Sequence, residues 1–246
     1  MKQENSKNIT REKGIICIIP ARGGSRRLPK KNILPLAGKP LIAYSIEQAK
    51  NSDLVTRVIV STDDIEIATV ARQYEAEVVN RPGELSTETA SSESALIHVL
   101  QHLEKLEKFS PELIVFLQCT SPIRGHDDID NAIKTLLEKN ADSLFSAFRF
   151  NKYIWQIKDG TILPINYDYR NRWREQDFPL QFQENGSIYV LKPWILKKFN
   201  NRLGGTIAVY EMDYLYSFQI DFAEDFELCE YIMKNQLNKK PKKNEK

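Results

Sequence analysis

Residues 15–19 read IICII, an unbroken apolar run closed by Pro20 and the pair Gly23–Gly24. Such a run, bounded by turn residues, predicts a central parallel strand buried on both faces. The period then changes. Pro40 suits a first helical turn, and Leu41, Ile42, Ser45, Ile46 and Ala49 recur at helical spacing. Residues 58–61 predict a second strand, and Asp63 with Glu66 three positions on has the form of a capping box opening a helix. Residues 77–80 predict a short strand. Residues 92–105 predict a helix with Ala95, Leu96, Val99, Leu100 and Leu103 on one stripe, and residues 113–117 another buried strand. Asp127 is placed to cap a helix running to about residue 139, and residues 143–148 predict a strand. This βαβαβ order predicts an α/β fold: a mostly parallel sheet with helices on both faces.

From about 149 to 183 the periodicity stops. The stretch is rich in Tyr, Trp, Arg and Asn (NYDYRNRWREQDFPLQF) and is too long for a plain loop in a compact domain. Exposed aromatics and arginines are what subunit interfaces use, so the expectation is a protruding dimerisation arm joining a homodimer, with a locally packed lid as the alternative. Order resumes with a strand at 187–191, a helix after Pro193, a strand at 206–212 and a last helix from 224 to about 234.

At 246 residues the chain suits one α/β domain, expected over 14–233. Apolar residues make up 41% and charged residues 28%, which excludes a disordered or membrane class. No apolar run approaches the ~20 residues that span a bilayer. Residues 1–13 have no apolar core of a secretory signal, so they are expected to be a disordered tail on a cytoplasmic protein. Cys17, Cys119 and Cys229 are scattered and odd in number, as reduced thiols are. The net charge is +2, yet residues 234–246 carry six Lys against one Glu, and residues 1–13 four basic groups against two acidic ones. Residues 14–233 are therefore at net −5. An acidic body argues against a nucleic-acid surface, and the basic C-terminal segment reads as a solvated tail.

The strongest chemical signal follows the first strand: PARGGSRRLPKKN, residues 20–32. Ligands of open parallel sheets bind at the carboxyl ends of strands. Gly23 and Gly24 let backbone N–H groups approach a ligand, and Arg22, Arg26, Arg27, Lys30 and Lys31 put five cations within ten residues. Charges that repel one another on such a loop fit a polyanion, and a nucleoside triphosphate is the obvious one. The loop is neither G-x-x-x-x-G-K-[ST] nor G-x-G-x-x-G, so kinase-like and dehydrogenase-like readings lose support. His98 and His102 have i, i+4 spacing but lack a third metal ligand, and His126 is a weak candidate.

IIPARGGSRRLPKKN followed by GKPLI resembles the nucleotide-binding signature of the acylneuraminate cytidylyltransferases. VSTDD (60–64), NRPGELSTETASS (80–92), FLQCTSPIR (116–124), ENGSIYV (184–190) and IDFAED (220–225) agree in order. The resemblance covers about residues 14–233. It implies a Rossmann-like nucleotide-binding sheet that transfers CMP from CTP to the anomeric hydroxyl of an acidic nine-carbon sugar (N-acetylneuraminate, legionaminate or a similar nonulosonate), with Mg²⁺ as cofactor and pyrophosphate released. Alternatives are transfer to another sugar or a sugar phosphate, or a nucleotide-sugar binding module without turnover. Arg22 and Lys31 match phosphate-contacting positions, and Gly23, Gly24, Ser25 and Arg26 the loop that wraps the triphosphate. Asn32, Arg81, Ala90 and Ser92 match positions holding cytosine and ribose. Gln118, Asn185 and Tyr189 match positions lining the sugar site, and Asp221 the carboxylate associated with Mg²⁺. The catalytic set so implied is Arg22, Lys31 and Asp221.

The sequence departs from the family pattern at four places. Gln219 stands where some members have a second aspartate, Thr87-Glu88-Thr89 replaces Ser-Asp-Thr, and Cys119 replaces a proline. Arg174-Glu175-Gln176 replaces two arginines before the glutamine, which leaves Arg174 or Arg172 to contact the sugar carboxylate.

Overall fold

The structure is a computed structural model that describes residues 14–235 apart from Arg26. The tails read above at 1–13 and over most of 234–246, and Arg26 itself, lie outside the described residues. In chain order the elements are β1 (Ile15–Pro20), β2 (Pro35–Leu36), β3 (Lys39–Pro40), α1 (Leu41–Lys50), β4 (Val55–Thr62), α2 (Ile65–Gln73), β5 (Glu77–Asn80), α3 (Ser92–Glu107), β6 (Leu113–Leu117), α4 (Asp128–Glu138) and β7 (Ser143–Arg149). They continue with β8 (Trp155–Lys158), β9 (Thr161–Pro164), β10 (Phe182–Leu191), α5 (Pro193–Phe199), β11 (Ile207–Glu211) and α6 (Ala223–Asn235).

Seven strands form one sheet in the order β11-β7-β10-β6-β1-β4-β5. Every pairing is parallel except those of β10, which runs antiparallel to both β6 and β7. Strand β1 lies inside the sheet, and alternate residues bury opposite sides. Ile15, Cys17 and Ile19 pack with Ile42 and Ile46 of α1, Ile67 of α2 and Ile133 of α4. Ile16 and Ile18 pack with Leu96 and Val99 of α3 and Ile195 of α5. A strand apolar at every position needs helices on both faces, and it has them. A smaller cluster, with Leu36, Ile123, Ile220 and Cys229, docks α6 beside the β2–β3 hairpin.

Two local expectations are corrected. Asp64, not Asp63, caps α2: its carboxylate accepts from the backbone N–H of Glu66 and Ile67 at 2.7 and 3.0 Å. Asp63 turns instead to the loop after β1. Asp127 occupies the N-cap of α4 without a capping hydrogen bond, while the Asp128 side chain accepts from Gly125 N–H.

The 149–183 stretch is ordered internally. β8 and β9 form an antiparallel hairpin. Tyr153 packs on Tyr167 and Phe178 with centroids 4.3 and 5.1 Å apart, and the Arg172 guanidinium lies 4.3 Å over the Tyr153 ring. Asn166 accepts from Ile154 N–H at 3.0 Å. Outside that small core the hairpin exposes Trp155, Ile157 and Ile162. Among the described residues no helix is long and apolar enough to cross a membrane.

Candidate functional site

The carboxyl ends of β1, β4, β5 and β6 meet at one edge of the sheet, where parallel-strand folds place ligands. There a cavity of about 300 Å³ is lined by Arg22, Ser25, Lys31, Asn32, Arg81, Ala90, Ser92, Phe116 and Gln118. Residues up to 96 positions apart in the chain thus converge because each follows a strand end or opens α3.

The glycine loop is held from several sides. Gly23 N–H donates to Asp63 Oδ1 at 3.2 Å, and Ser25 N–H to Gly23 O at 2.9 Å. A Cβ on Gly23 would lie 2.6 Å from Asp64 Oδ2, so glycine is required there by close approach. A Cβ on Gly24 would meet nothing within 4 Å, which leaves its backbone open to a ligand. Asn32, buried, donates from Nδ2 to Arg22 O at 3.0 Å. Arg22 reaches across to Thr87 O at 2.9 Å, tying the loop to the segment that carries Ala90 and Ser92. Ser91, not Ser92, caps α3, so the Ser92 side chain has no capping role there. Arg81 is buried, donates to Ser61 O at 3.2 Å and lies 3.8 Å from Asp63. Burial disfavours its charged form, and its Nε has no hydrogen-bond partner. A buried guanidinium with an unused donor beside a cavity is a ready hydrogen-bonding group for a ligand.

Lys31 Nζ donates to Ile220 O at 2.9 Å and lies 3.5 Å from Asp221 Oδ1. This contact joins the first loop to the start of α6, 190 residues later. Asp225, the other carboxylate there, accepts from the N–H groups of Asp221 and Phe222 at 2.9 and 2.8 Å and so braces the turn. Asp221 remains half exposed. Among the described residues no three His, Cys, Asp or Glu gather as a metal-binding group. One half-exposed carboxylate beside a phosphate-sized basic cavity does fit Mg²⁺, which takes one or two carboxylates and completes its shell with phosphate oxygens and water. Gln219 cannot supply a second carboxylate; its amide donates to Asn185 O.

A second, larger cavity of about 760 Å³ opens between β7, β10 and the 214–219 segment, with Phe148, Phe150, Glu184, Asn185, Tyr214 and Phe218 among its lining residues. β10 brings it beside the first. Being antiparallel, β10 sets its early residues next to the carboxyl end of β6: Ile188 pairs with Leu117, so Gly186 lies beside Gln118. Gly186 has φ +62°, and a Cβ there would lie 3.3 Å from Gln118 Oε1. The register shift between Glu184 and Tyr189 marks a bulge at the same place. Asn185 is buried inside this bulge; its Oδ1 accepts from Ser146 Oγ at 2.6 Å and Ser187 N–H at 3.2 Å.

Of the expected site residues described, Gly23, Gly24, Asp221, Tyr189 and Arg174 line neither cavity; Gly23, Gly24 and Asp221 border the smaller one through the loop and the Lys31 contact. Tyr189 is buried behind the two cavities, stacked on Phe116 with centroids 5.2 Å apart, and its hydroxyl donates to Glu184. Arg174 is exposed on the 149–183 stretch and donates to Asp177 at 2.8 Å. His98 has a buried, unpartnered Nδ1, and burial followed by the charges of His102 and Arg81 lowers its pKa; among the described residues no third ligand joins the pair.

Arg124 was not singled out by the sequence, although it ends the FLQCTSPIR motif. It is almost fully buried and donates to Ser45 Oγ at 3.1 Å, Gln48 Oε1 at 2.7 Å, Gln118 O at 3.0 Å and Ser187 O at 3.0 Å. It thereby pins the strand end of one cavity to the wall of the other. Burial lowers its pKa to about 10, so it remains charged at neutral pH. Burial also pushes the Cys119 thiol up to about 12, which makes it a packing group rather than a nucleophile.

Comparison with known proteins gives a consistent result. The cytidylyltransferase family profile matches residues 16–243. The post-translational flagellin modification protein B of Campylobacter coli is 32% identical over 225 residues, covering 89% of this chain and 95% of that one. The N-acylneuraminate cytidylyltransferase of Escherichia coli is 35% identical over 232 residues, and this chain spans 92% of its own length but 54% of that longer protein. The pseudaminic acid cytidylyltransferase of Campylobacter jejuni is 30% identical, with 89% and 96% covered. Among solved structures, a CMP:2-keto-3-deoxy-manno-octonic acid synthetase complexed with CTP superposes with a TM-score of 0.67 at 17% identity, covering 90% of this chain and 98% of that one. That likeness shows the shared fold.

Proposed function

The chain belongs to the acylneuraminate cytidylyltransferase family, and from that premise we propose that it transfers CMP from CTP to the anomeric hydroxyl of an acidic nine-carbon sugar. The observation that carries this reading is the convergence of Arg22, Lys31, Asn32, Arg81 and Ser92 on one small cavity, beside a second cavity large enough for a sugar acid. CTP would occupy the smaller cavity, its triphosphate on the 22–31 loop and its base toward Arg81 and Ser92.

In the reaction the anomeric oxygen forms a bond to the α-phosphorus, the bond from that phosphorus to the bridging oxygen breaks, pyrophosphate leaves, and the hydroxyl proton is lost to water. The barrier is charge build-up on phosphate oxygens, so catalysis rests on positioning and on cations. Lys31, which lines the cavity, is held by Ile220 O and Asp221, and Arg22 is fixed by Thr87 O. Neither has to reorganise when charge develops. Asp221 would hold Mg²⁺, which supplies further positive charge to the phosphate oxygens. Gln118 stands at the seam between the cavities, where the two reacting groups must meet. The 149–183 arm, with its exposed apolar hairpin, would join two copies and bring Arg174 to the partner's sugar site.

The test is pyrophosphate release with each nucleoside triphosphate in turn, with and without a nonulosonic acid. Release that requires CTP, a divalent cation and the unphosphorylated sugar acid supports the reading. Release with a sugar phosphate instead, or CTP binding without turnover, would sink it.

A further inference from the structure

Behind the smaller cavity lies a buried ion pair that the reaction as described does not use. Glu93 is the second residue of α3, directly after Ser92, which lines that cavity. Glu93 is buried, and Arg202 Nε donates to its carboxylate at 2.6 Å from the connection between α5 and β11, 109 positions away. The Arg202 guanidinium also lies 4.9 Å over the rings of both Phe116 and Tyr189. Those rings meet because β10 runs antiparallel to β6 and sets Tyr189 opposite Phe116. Phe116 lines the smaller cavity, while Arg202 lines neither cavity.

Burial works against the charge of Arg202, but Glu93 and then Tyr189 outweigh it and raise its pKa. Burial likewise works against the charge of Glu93, and Arg202 holds that carboxyl low. Each group keeps the other ionised, and together they are neutral. Without Arg202, Glu93 would be an unpaired buried carboxylate beside the wall of a cavity that takes a polyanion, where its repulsion acts through protein and not through water. The guanidinium meets this carboxylate through Nε and the two rings through its face, a combination that arginine allows and lysine does not. We infer that Arg202 is a positioning residue for the nucleotide: it cancels the Glu93 charge behind the smaller cavity and holds the Phe116 ring in that cavity's wall. This rests on the placement of CTP in the smaller cavity.

The experiment measures the Kd of CTP with Mg²⁺ by titration calorimetry on the full chain, and then kcat for pyrophosphate release at saturating CTP. Arg202→Met is expected to weaken CTP binding about 10-fold, with kcat within about 3-fold of wild type because Arg22 and Lys31 are untouched. Glu93→Gln, which leaves the guanidinium charge in place, is expected to bind CTP as tightly as wild type or up to about 3-fold tighter. The double variant, with neither charge, is expected to return to within about 3-fold of wild type. Opposite effects from the two ends of one ion pair are the signature, since a mere brace would weaken binding alike whichever end is removed. Equal weakening by Arg202→Met and Glu93→Gln, or a defect in Arg202→Met that Glu93→Gln does not relieve, overturns the inference. So does CTP affinity unchanged in Arg202→Met. If Arg202→Met does not fold, Glu93→Gln decides: CTP bound more than about 3-fold weaker there overturns the inference. A wild-type chain that binds CTP but releases no pyrophosphate with any acceptor removes the proposed function and leaves this inference standing. One that does not bind CTP removes both.

Discussion

The two cavities that meet at Gln118 are built by different means. The smaller one is a product of parallel-sheet geometry: strand ends, a glycine loop and a helix start deliver Arg22, Lys31, Arg81 and Ser92 to one edge. It carries three cations beside one acidic residue, Glu88, and apolar groups such as Ala90 and Phe116, and each cation is already tied to a carbonyl or carboxylate of the chain. The larger one is walled by β7, by the one sheet strand that runs the other way, and by the 214–219 segment, and it mixes the rings of Phe148, Phe150, Tyr214 and Phe218 with polar side chains such as Asn151, Lys152 and Gln183. Cations line the first, and rings interleaved with polar groups line the second. Substitutions should therefore separate the two, changing turnover at one and acceptor choice at the other, while buried links between them govern stability.

The largest effect is expected at the charged cavity. Lys31→Ala should lower turnover at least ~10²-fold while the melting temperature moves by only a few degrees, because the lost ammonium acts mainly on transition-state charge. Wild-type rates in that variant would remove Lys31 from the chemistry. Arg124→Met tests the link between the cavities. It leaves the carbonyls of Gln118 and Ser187 without this donor in a buried setting, which should cost about 3 kcal/mol. For a domain of this size that is about 6–12 °C in thermal unfolding. Asp221→Asn should raise the Mg²⁺ concentration for half-maximal activity by about 10-fold or more without altering the sugar preference. An unchanged metal requirement would move the site elsewhere.

Glu93 gives a smaller and pH-dependent effect. It opens α3 behind the smaller cavity and pairs with Arg202 at 2.6 Å; Arg202 in turn lies 4.9 Å over the rings of Phe116 and Tyr189. Burial raises the Glu93 pKa, but the hydrogen bond and charge of Arg202 outweigh it and hold the carboxyl below its usual range. A group lowered in the folded state stabilises fully above its unfolded pKa, and that stabilisation is lost as pH falls through the folded value. Glu93→Gln should therefore cost about 1 kcal/mol at neutral pH and flatten the loss of stability below about pH 4.5, read as melting temperature against pH. The smallest effect is expected far from both cavities. Arg57 bridges Glu77 and Glu107 at the surface, and Arg57→Ala should cost under about 1 kcal/mol, falling further at high salt.

Most of the sheet was legible because its signals are local. Residues 15–19, bounded by turn residues, form a strand buried on both faces, and Leu96, Val99, Leu100 and Leu103 face one core together as their spacing predicts. Capping was less so. Asp63 and Asp64 are adjacent and chemically identical, and which one turns back to the helix depends on where Gly23 approaches. The reversal of β10 was not legible either, since an apolar strand carries no mark of its direction. That reversal brings Asn185 and Gly186 beside Gln118.

The sequence by itself determined the chemistry available to this protein: a glycine loop with five cations, a downstream Arg81, and an aspartate ahead of the last helix, in an order that identifies the family. It could do so because residue type and spacing are properties of the chain itself, readable before it folds. Only the tertiary structure decided which groups meet. Lys31 and Asp221, Arg124 and Ser187, Phe148 and Tyr214 are joined by packing across 190, 63 and 66 positions of chain. Distances of that kind follow from how whole layers fit together, and no local pattern of residues encodes them.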